Sequence, residues 1–98
     1  MTRLLWGSAA LADLRRIRAY VAEHHPGAAG RIADRIRRSS HRLIDRPRIG
    51  RPGRCAGTRE LVITGTPYLI AYRITPDAIE ILRVLHGRQG WPEEIRSD

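Results

Sequence analysis

Lysine is absent from this 98-residue chain; all 18 of its basic side chains are arginine. Chemistry that needs an ε-amine, such as Schiff-base formation or a lysine general base, is therefore excluded. Proton transfer falls to His, Asp, Glu, Tyr or Cys. Cysteine occurs once, at Cys55, so no intrachain disulfide can form, which suits a reducing cytoplasm. No apolar run approaches the roughly 18 residues a membrane span requires, and the short apolar start up to Trp6 lacks the length of a secretory segment. A cytoplasmic protein without membrane contact is expected. His24 and His25 are adjacent and Cys55 stands alone, so no His/Cys spacing resembles a zinc site. No glycine-rich phosphate fingerprint of the Rossmann or Walker type occurs either. Neither a metal nor another cofactor is expected.

What the chain does have is positive charge. The formal net charge is +8 and the sequence pI about 11.3, which points to an acidic partner: nucleic acid, an anionic surface or an acidic protein. With 42% hydrophobic and 29% charged residues, the composition is that of a folded globular chain. Its length allows one domain over residues 1–98 with a modest core.

The hydrophobic period divides the chain in two. Thr2 to Trp6 reads as a first strand, followed by a helix N-cap at Ser8. Ala10, Leu14, Ile17 and Val21 then recur at helical spacing up to about His25, where Pro26-Gly27 interrupts. A second helix is expected from Pro26 to about Asp45, burying Ala29, Ile32, Ala33, Ile36, Ser40, Leu43 and Ile44. Arg31, Arg35, Arg38 and Arg42 line another side of it as a cationic stripe. Pro47 to Gly57, rich in proline and glycine, reads as irregular loop. Beyond it the period changes to two, giving strands at Thr58–Ile63, Tyr68–Ile74 and Ile79–His86, with turns at Thr64–Pro67 and Thr75–Ala78. Short connections make these strands antiparallel neighbours. The expected architecture is α+β: an N-terminal strand, then an antiparallel helix hairpin packed on a mainly antiparallel sheet of three to four strands, leaving the other sheet face free. Trp91 to Ile95 reads as a final short turn of helix.

The last strand carries the residues of greatest chemical interest. Arg83 lies among aliphatic neighbours, which marks it as functional or as paired with Glu60 or Glu80. His86 stands at the strand end, and histidine is the side chain whose ordinary chemistry suits proton transfer near neutral pH. Three apart on a regular strand, the two fall on opposite faces. A turn at Gly87 offers a way for His86, Arg88 and Trp91 to converge. Neither face of the three strands is cleanly polar, so the period does not assign which one meets solvent.

Taken together these motifs have a familiar order. Trp6, Ala9, Asp13, Leu14, Ile17 and Tyr20, then Pro26-x-Ala28-Ala29 and Pro47-x-x-Gly50-Arg51, resemble the first half of the RelE/ParE family of toxin–antitoxin toxins. Thr58-Arg59-Glu60-Leu61-Val62, Pro67-Tyr68-x-Ile70-x-Tyr72-Arg73 and Ile81 through Trp91-Pro92 resemble the second half. The likeness spans essentially the whole chain. It implies a plasmid- or chromosome-maintenance toxin in a hetero-oligomer with a cognate antitoxin. Its target is either mRNA at the ribosome, cut by a metal-independent endoribonuclease, or DNA gyrase, inhibited without nuclease activity. For the interferase, the resemblance implies His86, Arg83 and Arg88 as catalytic residues and Arg59, Arg51, Tyr68 and Arg73 as nucleic-acid or target contacts. Two departures stand out: the lysines of the RelE-type site are missing, and Leu69 occupies the position of an arginine that follows the aromatic residue.

Overall fold

In the computed structural model, residues 2–92 are described. Strand β1 (Arg3–Trp6) leads into helix α1 (Ser8–His24). A single 3-10 turn (Pro26–Ala28) joins it to α2 (Ala29–Asp45). The remainder forms β2 (Arg51–Pro52), β3 (Arg59–Val62), β4 (Tyr68–Ile74) and β5 (Ala78–His86). The sheet order is β1-β5-β4-β3-β2, with β1 parallel to β5 and every other pair antiparallel. The sheet thus has five strands rather than three or four. The addition is β2, a two-residue pairing inside the proline- and glycine-rich stretch expected to be irregular. Its ladder is too short to leave a periodic signal.

The helices bury the stripes that their sequence period marks. Ala10, Leu14 and Val21 of α1 and Ala29, Ala33, Ile36 and Leu43 of α2 are buried. The main core joins Ala10, Leu14, Ala33, Ile36 and Leu43 of these to Leu61, Tyr68, Ile70, Tyr72, Ile79, Ile81 and Val84 of the sheet and to Ile63 just after β3. The entry to α1 differs from expectation. Gly7, not Ser8, holds the N-cap position, accepting the Leu11 N–H and donating its own N–H to the Ile81 carbonyl at 2.9 Å. A Cβ at Gly7 would stand 3.2 Å from that carbonyl oxygen, so β1, the cap and β5 pack at glycine distance.

The second sheet face is not free. Leu69, Ala71 and Leu85 are buried there under Trp91, with Cys55 and Leu82 packed against them. Both faces of β4 are therefore covered, which is why its sequence lacks a polar alternation. Trp91 and Pro92 are not helical, and the rest of the expected terminal turn lies outside the described residues.

Two buried polar arrangements fix the fold at long range. The first joins α1 to β5. Arg83 donates from Nε to Asp13 Oδ2 at 2.6 Å and from Nη2 to Oδ1 at 2.8 Å. The Val84 N–H adds a 2.9 Å bond to Oδ2 and Arg16 a 3.1 Å bond to Oδ1. Asp13 is 1% exposed, and the Arg83 side chain 12%. The partner expected for Arg83 was Glu60 or Glu80; it is a carboxylate 70 residues away in sequence.

The second arrangement holds the loop before β2. The Tyr72 hydroxyl donates to the Pro47 carbonyl at 2.6 Å and accepts the Gly50 N–H at 2.9 Å. A Cβ on Gly50 would lie 2.5 Å from that hydroxyl and 2.9 Å from the Glu60 carbonyl oxygen, so no larger residue fits unless the loop lifts. Burial raises the Tyr72 pKa, partly offset by the Gly50 hydrogen bond and the nearby Arg59 charge. The phenol thus stays protonated at neutral pH. Because its folded pKa lies above the ordinary value, this linkage weakens the fold only as pH rises above that value.

Replacing Asp13 by Ala should destabilise the fold by about 3–5 kcal/mol, since it strands a mostly buried guanidinium. The double replacement Asp13→Leu with Arg83→Met should cost clearly less than the sum of the single changes. Urea unfolding of the four proteins measures this, and strict additivity would show that the pair is not coupled. Tyr72→Phe should cost about 1–3 kcal/mol by leaving the Gly50 N–H without an acceptor, read from the same unfolding curves.

Candidate functional site

The end of β5 is shaped by a one-residue bulge. Ala71 pairs with Arg83 but Tyr72 pairs with Ile81, so Leu82 is the extra residue on β5. Ile81 and Val84, an odd and an even position, consequently both belong to the helix-side core, while Leu82 and Leu85 pack on the opposite face. The bulge lies before Arg83; from Arg83 to His86 the pairing with Ala71 to Tyr68 is regular, so the alternation between these two residues is unbroken. Arg83 reaches α1 through Asp13, and His86 stands against Tyr68 of the same core, with ring centroids 5.9 Å apart and planes at 83°.

A shallow groove of about 250 Å³ opens here between α1 and the sheet, lined by Ile17, Tyr20, Tyr68, Val84, His86 and Gln89 along with Arg16. Arg83 does not line it. Burial raises the Tyr68 pKa, and the neighbouring Tyr20 adds to the shift, so the phenol remains neutral under ordinary conditions. Tyr20 is 57% exposed and its ring lies 4.3 Å from that of His24.

The His86 ring is fixed by the turn that follows it. Its Nδ1 accepts the Arg88 N–H at 3.2 Å. The neutral imidazole then carries its proton on Nε2, with the Nδ1 lone pair turned onto the Arg88 N–H. Gln89 closes the turn: its N–H donates to the His86 carbonyl at 2.9 Å and its Oε1 accepts the His86 N–H at 3.3 Å. Arg88 is exposed, and its side chain has no hydrogen bond or ion pair among the described residues. Trp91 does not converge with them. It crosses to the opposite face, where the Arg54 guanidinium lies 5.9 Å from its ring.

The remaining residues singled out from the sequence lie elsewhere. Arg51 donates from Nε to Glu60 Oε1 at 2.7 Å, and Arg54 approaches the other oxygen at 3.8 Å. Arg73 pairs with Glu80 at 3.1 Å. Arg59 donates to the Gly50 carbonyl at 2.6 Å and has no carboxylate partner among the described residues. The structure therefore brings His86, Tyr68 and the Arg88 backbone together. It engages Arg83 in the core and distributes Arg51, Arg59 and Arg73 over the far half of the sheet. Sequence reasoning passed over Asp13 as a contact, Tyr20 and Tyr72. For Asp13 a signal existed: it is a carboxylate at i+3 from Ala10, inside the apolar stripe of α1.

A two-helix layer on a five-stranded sheet with a parallel N-terminal strand, with a His/Arg turn after β5, defines a small α+β class. The family model described as the ParE toxin of type II toxin–antitoxin systems matches residues 4–91, and the chain belongs to that family. It is similar to the protein Y4kP of Sinorhizobium fredii, with 45% identity over 95% of this chain and 96% of the relative. It is also similar to the toxin RelE2 of Caulobacter vibrioides, with 37% identity over 89% of this chain and 97% of the relative. Among solved structures, a chain of the chromosomal ParDE toxin–antitoxin system from P. aeruginosa superposes with a TM-score of 0.81 and 27% identity. That match covers 88% of this chain and 96% of the other. The chain is thus a RelE/ParE toxin, with the fold that the resemblance implies.

The hydrogen bond at His86 Nδ1 makes a spectroscopic prediction. Long-range 15N NMR of the neutral imidazole should show the Nε2–H tautomer as the dominant form. A dominant Nδ1–H signal would contradict the geometry.

Proposed function

We propose that this toxin arrests growth as a ParE-like inhibitor of DNA gyrase, acting by binding rather than by cutting RNA, and that a cognate antitoxin neutralises it. The observation that carries this reading is the state of the two residues on which RNA cleavage would depend. Cleavage at a 2′-hydroxyl needs a base with an open lone pair beside a cation free to meet the phosphorane. Here the Arg83 guanidinium is bound edge-on to a buried Asp13, and the His86 lone pair is taken by the Arg88 N–H. Arg88 alone is free on that turn, and no lysine stands in for Arg83.

A binding mechanism suits what the groove does offer. Tyr20, Tyr68 and His86 present aromatic surface that a partner's side chains could cover, with Arg16 at the rim. Aromatic and arginine residues in such a setting are the usual anchors of a protein–protein contact. The net charge of +8 favours an antitoxin segment that is both acidic and apolar. The family model and the ParDE structural relative support a toxin that an antitoxin neutralises.

The test sets purified toxin in two reactions, gyrase supercoiling and ribosome-dependent mRNA cleavage, with the wild type and His86→Ala. Inhibited supercoiling by the wild type, weaker inhibition by His86→Ala, and intact mRNA with both proteins are expected. An interferase using His86 as its base would instead cleave mRNA and lose about 10²–10⁴-fold of that activity in the variant. That outcome would replace the proposal.

A further inference from the structure

The arginines of the sheet are treated unequally. Of the four on strands β2 to β5, three have a carboxylate: Arg51 on Glu60, Arg73 on Glu80 and Arg83 on Asp13. Arg54, in the loop between β2 and β3, shares Glu60. The fourth strand arginine, Arg59, is half-buried and is held only by carbonyl oxygens, at 2.6 Å from Gly50 and 3.4 Å from Arg48. Carbonyl dipoles orient a guanidinium without cancelling its charge. Both bonds use Nη1, which leaves the Nε and Nη2 edge of the fork without a protein partner among the described residues.

Arg59 also lines a cleft of about 360 Å³, together with Arg48, Pro52, Gly57, Thr58 and Ile74. Among the described residues the Arg48 side chain has neither a hydrogen bond nor an ion pair, and none that lines the cleft is acidic. Two guanidinium side chains without a carboxylate partner there thus line one concave site. Like charges so placed repel, although the exposure of Arg48 screens them. The loop carrying Arg48 is nevertheless pinned in place by the Tyr72 hydroxyl, through Pro47 and Gly50. The sequence closes the loop against Arg59 instead of letting the charges separate.

From this we infer that the Arg48–Arg59 cleft binds a phosphate group. A phosphate supplies several acceptor oxygens and negative charge in a volume the cleft accommodates, and arginine forks suit it better than any other anion-binding side chain. The site lies on the β2–β3 side of the sheet, away from the His86 groove, and the inference does not rest on the gyrase reading. Two sources share the chemistry: the backbone of a polynucleotide and a free phosphate or nucleotide.

Side-chain 15N NMR of arginine, with separate additions of pyrophosphate and of a short DNA duplex, tests the inference and separates the sources. The wild type is compared with Arg48→Glu, which places a carboxylate beside Arg59 without touching the fold's buried pairs. Arg15→Ala/Arg18→Ala, which lowers the net charge by the same two units on exposed α1 positions, is the control. The Arg59 Nε resonance should shift on addition of ligand in the wild type and the control, but not in Arg48→Glu. Duplex affinity should fall at least about tenfold in Arg48→Glu, with a shallower salt dependence, if the source is a backbone. Shifts with pyrophosphate and equal duplex affinity in all three proteins would assign the free-phosphate source. No Arg59 response to either probe, or an equal loss of binding in the control, would overturn the site.

Discussion

The carboxylate of Asp13 organises this structure. It receives four donors, two from Arg83, one from the Val84 backbone and one from Arg16, while almost wholly removed from water. A buried charge of this kind is tolerated only when its partners are complete. Completeness requires β5 to approach α1 at one height and one register. The Val84 N–H points to the edge of β5 beyond the end of β1, whose pairing stops at Trp6 and Ile81, and there it reaches Asp13. The placement of α1 against β5 thus rests on one interaction.

This arrangement also decides what the arginine-only composition means. A free guanidinium on the central strand would be a natural phosphate contact; one locked edge-on to a carboxylate is a structural member. The functional character of the end of the sheet then falls to aromatic surface, Tyr20, Tyr68 and His86, rather than to charge. Charge that remains uncompensated within the sheet is displaced to the opposite side, at Arg48 and Arg59. Aromatic surface near the helices and unpaired charge near β2 thus lie on separate parts of the molecule, a separation that the overall basicity conceals.

Much of the fold was legible in the sequence because it rests on local period. The stripes of α1 and α2 and the bounds of β4, Tyr68–Ile74, follow from spacing alone. The rest depended on contacts across the chain. The β2 pairing is two residues long. The bulge is one extra residue, which a period-two reading cannot register without the partner strand. The pairing of Arg83 with Asp13 spans 70 residues, so nearby Glu60 and Glu80 were the more visible candidates. Trp91 covering the second face explains why the strands carry apolar residues on both sides. That same feature kept the exposed face unassigned. The candidate site was legible as a segment, not as an arrangement: His86 and Tyr68 meet, while Arg51, Arg59 and Arg73 lie apart from them.

The parallel pairing of β1 with β5 carries a consequence for how the protein comes into being. β1 is the first strand made, yet its one neighbour in the sheet is the last, and the intervening helices cannot close their buried carboxylate until Arg83 is present. Pairing between chain ends is slow to form and unrewarded until late. A ribosome partway through this message therefore holds a chain with no finished sheet. The groove between α1 and the sheet, with Tyr20 on one wall and His86 on the other, is therefore complete only once β5 has joined β4.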